Sequence, residues 1–307
     1  MKLIEVGTVA FDSIETPFDK REKVIGGAAT YIGLAASFFI DNSHLVSVIG
    51  DDFPQDMLDT MKSKGINLDG LEIKKGEKSF FWSGKYHFDM NSRDTLATDL
   101  NVLADFQPKV PKSAIPCDYL ILGNLAPAVQ MAVIDQLEKR PKLVVLDTMN
   151  FWMDIALEEL KAVIAKVDLI SINDEEARQL SGEYSLVKAA RKILKMGPKY
   201  IIIKKGEHGA LLFDENNVFF APALPLEEVV DPTGAGDTFA GGFIGYLAGT
   251  DNISFQNMKR AIIVGSALAS FTCEKFGPER LMELTKQEIN ERIGHFINLM
   301  EFDIENV

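Results

Sequence analysis

Thirteen consecutive residues combine the types that phosphoryl chemistry needs: Asp231, Pro232, Thr233, Gly234, Ala235, Gly236, Asp237, Thr238, Phe239, Ala240, Gly241, Gly242 and Phe243. Small residues let a backbone turn approach a ligand closely, and an acid follows them directly. The small, apolar run 238–248 predicts a tightly packed helix with Gly234, Ala235 and Gly236 at its N-terminus. Free N–H groups and the positive end of the helix dipole favour an anion there. Asp237 then stands as a carboxylate beside a bound anion. The amides would stabilise charge on a moving phosphoryl group, and Asp237 would take a hydroxyl proton as the base. The plainer alternative is a glycine turn with Asp237 as an ordinary N-cap. The run is not a Walker A loop, because no Gly-Lys-Ser/Thr follows. Nor is it a dinucleotide fingerprint, because it lies near the C-terminus, far from any first strand–turn–helix.

Positioning such a loop requires a rigid frame, and the rest of the chain predicts one. Short apolar runs at 2–6, 45–49, 119–122, 143–146, 169–172, 200–204 and 210–214 read as strands. Helical patterns alternate with them at 28–39, 54–64, 129–138, 155–166, 175–180, 185–196, 238–248, 257–270 and 286–299. Near-continuous Val, Ile and Leu imply burial on both faces, as in a parallel sheet covered by helices. The order predicts a doubly wound α/β sandwich. Two segments break the rhythm. Residues 11–25 are too polar for a core helix, and residues 71–100 alternate polar and apolar, with aromatics at Phe80, Phe81, Trp82, Tyr86 and Phe88. Together they read as a small β-sheet lid over the mouth of the site, with an edge extension of the main sheet as the alternative.

Composition bounds the partners. The 307 residues allow one large domain spanning 1–307 with the lid inserted in it. A net charge of −13 argues against a nucleic-acid surface. No apolar run is long enough to span a membrane, and the first residues read as a strand rather than a signal peptide. Cys117 and Cys273 are far apart without metal spacing, which suits reduced thiols and a cytoplasmic protein. His44, His87, His208 and His295 likewise show no metal spacing.

The thirteen-residue run resembles the C-terminal signature of the PfkB, or ribokinase-like, family of kinases, and the similarity extends over most of the chain. The resemblance implies a three-layer α/β/α sandwich with a mostly parallel sheet and a small β-lid. It implies an ATP-dependent phosphotransferase acting on a hydroxyl of a small polyhydroxy substrate, with Asp237 as the base. Gly7 to Asp12 resembles the family's opening Gly-x-x-x-x-Asp, which makes Asp12 a ligand for substrate hydroxyls. Gly26-Gly27-Ala28-Ala29 resembles the double-glycine substrate motif, but Tyr31 stands where the family usually has Asn. Asn173-Asp174-Glu175-Glu176 is similar to Asn-x-x-Glu. That places Asn173 near the phosphates and Glu176 near Mg²⁺, which keeps several waters and needs few carboxylates. From the local residues alone, the same four are a helix capping box. Lys204-Lys205-Gly206-Glu207-His208-Gly209 resembles Lys-x-Gly-x-x-Gly, a turn against the nucleotide, so Lys204, Gly206 and Gly209 join Thr233 as nucleotide contacts. Asp231, Thr233 and the segment from Ala267 to Gly277 occupy the place of the family's K⁺ site, making K⁺ a further candidate cofactor. Asp147-Thr148-Met149-Asn150 takes the place of Asp-x-Asn-x-Arg, without the Arg that would clamp a phosphorylated acceptor. A sugar is the family's commonest acceptor. A nucleoside is the main alternative, because Phe80-Phe81-Trp82 offers flat surface for a base, unless those rings bury the lid or a dimer interface. A non-catalytic nucleotide-binding protein is a third reading, and pairing of lid edges predicts a homodimer.

Overall fold

Strands of near-continuous Val, Ile and Leu have no face suited to water, and the fold gives each of them two helical layers to pack against. The computed structural model describes residues 1–303. The chain opens with β1 (Leu3–Val6), β2 (Ala10–Glu15), β3 (Lys20–Gly26), α1 (Ala28–Ala36), β4 (Ser43–Gly50), α2 (Gln55–Ser63) and β5 (Ile66–Lys74). A hairpin of β6 (Phe80–Tyr86) and β7 (Arg93–Asp99) follows. Next come β8 (Tyr119–Leu122), α3 (Pro127–Asp135), β9 (Leu143–Asp147), α4 (Asn150–Ile155), α5 (Leu157–Ile164), β10 (Leu169–Asn173), α6 (Asp174–Ser181), α7 (Leu186–Leu194) and β11 (Tyr200–Lys204). Then β12 (Ala210–Phe213) and β13 (Val218–Ala221) lead into α8 (Ala235–Thr250), α9 (Phe255–Thr272), α10 (Glu279–Glu283) and α11 (Lys286–Met300).

The main sheet has the order β13-β12-β11-β10-β9-β8-β1-β4-β5, parallel except for β12 and β13. Alternate residues of each strand feed opposite layers. Val144 and Leu146 join Leu160 and Ile193 on one side, whereas Leu143 and Val145 join Phe243 and Ile244 on the other. This is the expected α/β/α sandwich. A second sheet, β3-β2-β6-β7, forms the small lid. No helix among the described residues is long and apolar enough to cross a membrane.

Two expectations need correction. The 71–100 segment does not lie wholly in the lid, because residues 71–74 belong to β5, which pairs in parallel with β4 at the edge of the main sheet. Leu68 and Leu71 pack against the buried cluster that holds Met57 and Met61, an anchor that alternation within the segment does not reveal. The helix expected over 155–166 is present as α5, but a further short helix, α4, which the pattern does not predict, precedes it. The two are separated at Ala156, whose φ of −144° and ψ of 41° are not helical.

Glycines act as spacers where α8 meets its neighbours. A Cβ at Gly242 would lie 2.7 Å from Leu268 of α9, and one at Gly241 would collide with the backbone of Ile32 in α1. Backbone cannot swing aside as a side chain can, so α8 is held at a short fixed distance from α1. Gly241→Val should therefore destabilise the fold by about 1–3 kcal/mol, the usual cost of overpacking. A urea titration reads this as a lowered midpoint; an unchanged midpoint would mean that α1 slides freely on α8.

Candidate active site

Three neighbouring strands of the main sheet, β9, β10 and β11, end in the polar residues Asp147, Asn173 and Lys204. The carboxyl ends of parallel strands are where α/β folds form their clefts. Asn173 is in register with Lys204, so the two lie side by side. Lys204 Nζ donates to Asp147 Oδ2 at 2.7 Å, and both side chains are largely enclosed. Burial works against the Lys204 charge, yet Asp147, Glu176 and Asp237 together hold its pKa above the usual lysine value.

The α8 N-terminus meets these strand ends. Gly234 is the N-cap, at φ 77°, with no side-chain cap bond. The Ala235 N–H closes a turn onto Pro232 O at 3.2 Å, so it is engaged within the loop. The Gly234 and Gly236 N–H groups have no backbone acceptor among the described residues and stand at the positive end of the dipole. A Cβ at Gly236 would lie 3.3 Å from Lys204 Nζ, so amide and ammonium overlook one space. Asp237 follows, half-buried in the first turn. Burial raises its pKa to about 7, with Asp147 adding to the rise and Lys204 and Arg93 opposing it.

Asn173 and Glu176 do form a reciprocal capping box: Glu176 N donates to Asn173 Oδ1 and Asn173 N to Glu176 Oε2, each at 2.8 Å. Only one oxygen of Glu176 is used in this way. Burial raises the Glu176 pKa to about 7 against the pull of Lys204. The box thus orients the carboxylate instead of consuming it. No cluster of three or more ligating His, Cys, Asp or Glu side chains occurs among the described residues. A Mg²⁺ ion that keeps most of its waters and binds phosphate oxygens fits such a sparse set.

On the other side of Asp237, the lid strand β2 presents Asp12, which is 5% exposed. Burial lifts its pKa to about 8, helped by Asp231 and Asp237 and opposed by the Gly27 amide and Arg93. A Cβ at Gly26 would collide with the Asp12 carboxyl, and Gly27 caps α1 at φ 93°. Tyr31 follows in α1. Its ring packs directly on Gly234, and its buried hydroxyl has no hydrogen-bond partner. Burial, with Asp12, Asp231 and Asp237 nearby, pushes that phenol well above its usual pKa. A Tyr at this position therefore ties α1 to the Gly234 turn through ring packing.

The lid contributes residues that sequence reasoning missed. Thr233 Oγ1 donates to Tyr86 Oη at 3.1 Å. Asn91, in the β6–β7 turn, sits where a Cβ on Gly206 would go. Arg93 of β7 lies over Trp82 at 5.8 Å, and its charge lowers the pKa of Asp12, Asp237 and Glu176. No local signal marks Asn91 or Arg93, since their place depends on how the lid docks. Lys204, already named from its resemblance to Lys-x-Gly-x-x-Gly, ends a strand next to that of Asn173. Gly206 and Gly209 lie together in the turn between β11 and β12. The aromatic run is largely spent on packing: Phe81 joins the cluster around Phe11 and Phe53, and Trp82 the one formed by Ile14, Tyr86 and Phe276. Both Asp231 oxygens accept backbone N–H groups, Oδ1 from Thr233 at 2.8 Å and Oδ2 from Gly277 at 3.2 Å.

The chain is similar to known proteins along most of its length. The model of the pfkB family carbohydrate kinase matches residues 11–284. A cytidine kinase of Thermococcus kodakarensis is 30% identical over 260 residues, covering 81% of this chain and 90% of its own length. An ATP-dependent 6-phosphofructokinase of Thermoanaerobacterium thermosaccharolyticum is 25% identical over 302 residues, 90% of this chain and 88% of its own. In fold, the crystal structure of a nucleoside kinase of Methanocaldococcus jannaschii superposes with a TM-score of 0.76 at 20% identity, covering 95% of this chain and 98% of that one.

The buried acids make stability depend on pH. Burial raises Asp12 to about 8 and Glu5, at the centre of β1, to about 7. Each carboxyl holds, when folded, a proton that the unfolded chain releases near pH 4. Its stabilising contribution is complete below that value and drains away as pH climbs through 7 to 8. The ligand-free protein should thus show a urea midpoint that falls from pH 6 to pH 9, and Asp12→Asn should flatten part of the fall. Parallel profiles for the two proteins would contradict a protonated Asp12.

Proposed function

The chain belongs to the PfkB family of carbohydrate kinases, and from that premise we propose that its site moves the γ-phosphoryl group of ATP to a hydroxyl of a small sugar-like acceptor. The observation that carries this reading is the convergence at one point of Asp237, the free amides of the α8 N-terminus and the Lys204 ammonium. Asp237 takes the hydroxyl proton as the acceptor oxygen attacks the γ-phosphorus in line. The bond from that phosphorus to the β-phosphate oxygen breaks, and ADP leaves. The Gly234 and Gly236 amides face the charge on the transferring group, and a donor aimed at developing charge is worth about 10²–10³ in rate. The Ala235 N–H, engaged with Pro232, holds the turn that aims them.

Asp12, Gly26, Gly27 and Tyr31 hold the acceptor. A largely protonated Asp12 both donates to and accepts from sugar hydroxyls. Asn173, Lys204, Gly206, Gly209 and Thr233 hold the nucleotide, and Glu176 would help hold Mg²⁺. Mg²⁺, when bound, supplies neutralisation of phosphate charge. K⁺ would reach the loop through the same Asp231 that Thr233 and Gly277 already engage. The lid, anchored by Tyr86 on Thr233, excludes water from the transfer. Exposed Phe18 and Phe88, with ring centroids 6.1 Å apart on the lid, suit pairing with a second copy. A nucleoside acceptor is the second reading, favoured by the likeness to a cytidine kinase along most of the chain.

A coupled ADP-release assay with Mg·ATP and a panel of sugars and nucleosides, with and without K⁺, tests the reading. Turnover with one acceptor class is the expected result. Asp237→Asn should lower kcat by about 10²–10⁴, the usual weight of a positioned base, while ATP affinity measured by calorimetry stays near that of the unaltered protein. Turnover that survives the substitution would remove Asp237 from its role.

A further inference from the structure

Of the three adjacent strand ends Asp147, Asn173 and Lys204, Asp147 is the one that the roles above leave unused. Its side chain is 8% exposed, and its backbone is pinned: Gln130 Nε2, itself buried, donates to the Asp147 carbonyl at 3.2 Å and to Gly123 O at 2.9 Å. It ends β9, whereas its partner Lys204 ends β11, so the lysine stem reaches back across β10 to make the 2.7 Å bond. A Cβ on Gly236 would lie 3.3 Å from the same Nζ, so an anion held by the Gly236 amide must also meet the ammonium. Lys204 is a flexible point charge, and three acids (Asp147, Glu176 and Asp237) lie within its field. Among the described residues it bonds only Asp147. Were it to rest on Asp237 instead, its charge would stabilise the ionised carboxylate and occupy one of its acceptor positions, leaving a poorer acceptor for the hydroxyl proton.

We propose that Asp147 is a positioning residue that holds the Lys204 ammonium over the Gly236 amide and off Asp237, so that one cation serves the transferring phosphoryl group while the base stays free. The proposal rests on the kinase reading above. Lys204 stays protonated throughout; the hydroxyl proton goes to Asp237, and only the phosphorus–oxygen bonds exchange. Asp147 itself touches neither substrate.

A double-mutant cycle tests it, with the acceptor that the unaltered protein turns over. Asp147→Asn should lower kcat at least about a hundredfold, with ATP affinity by calorimetry within about threefold, because the released ammonium settles on Asp237. Lys204→Met should also lower kcat. The double variant should be no slower than Lys204→Met and as fast as, or faster than, Asp147→Asn, since without the ammonium there is nothing left for Asp147 to hold. Losses that multiply in the double variant, or an Asp147→Asn protein with unaltered kcat, overturn the proposal. If thermal unfolding shows that Asp147→Asn alone does not fold, the comparison of Lys204→Met with the double variant decides: no further loss supports the proposal, and a further tenfold loss overturns it. Absence of ADP release from the unaltered protein across the whole panel would instead overturn the kinase reading, and this proposal with it.

Discussion

Carboxylates gathered in a cleft repel one another and resist losing their water, and this chain brings Asp12, Asp147, Glu176, Asp231 and Asp237 to one edge of its sheet. Two cations, the buried Lys204 and the more exposed Arg93, answer them. The acids respond as enclosed carboxyls do: Asp12 rises to about 8, and Glu176 and Asp237 to about 7. A site in this state has room for more positive charge. A carboxylate raised in this way is a stronger proton acceptor than one near pKa 4.

The frame exists to keep these charges from relaxing. Asp147, Asn173 and Lys204 end adjacent parallel strands whose apolar bodies are locked between two helical layers, so their spacing is that of the sheet itself. Asp237 arrives from the opposite direction on α8, whose glycine face lets it seat against α1 and α9 at short range. Tyr31 completes the link by packing its ring on Gly234, so α1, which also begins at the acceptor-side glycines, and the anion loop share one contact. The lid then closes the third side, with Tyr86 on Thr233 and Asn91 over Gly206. The α1 start, the Gly234 turn and the lid are therefore joined through direct contacts.

Much of this was legible in the residues. The alternation of apolar runs with helical patterns predicts the layered sheet, because a strand such as Leu143–Asp147 has no polar face to turn outward. Gly234 to Asp237 announce a close-approach loop at a helix start, because only small residues permit it. Asn173 and Glu176 announce a capping box, and the box is there. Each of these rests on neighbours in sequence, where physical constraint and residue order coincide. β5 within a stretch that reads as lid was not legible, because its place depends on pairing with β4 and not on its own alternation.

The amino-acid sequence by itself determined the fold class and the small-residue turn from Gly234 to Asp237 that opens a helix, since these follow from local backbone geometry and burial. The pairing of Lys204 with Asp147, the reach of Arg93 and Asn91 from the lid, and the use of Trp82 for packing were decided only by tertiary structure. A side chain's charge is written in the sequence; which of three competing carboxylates it meets is set by strand register and by how closely two helices can approach.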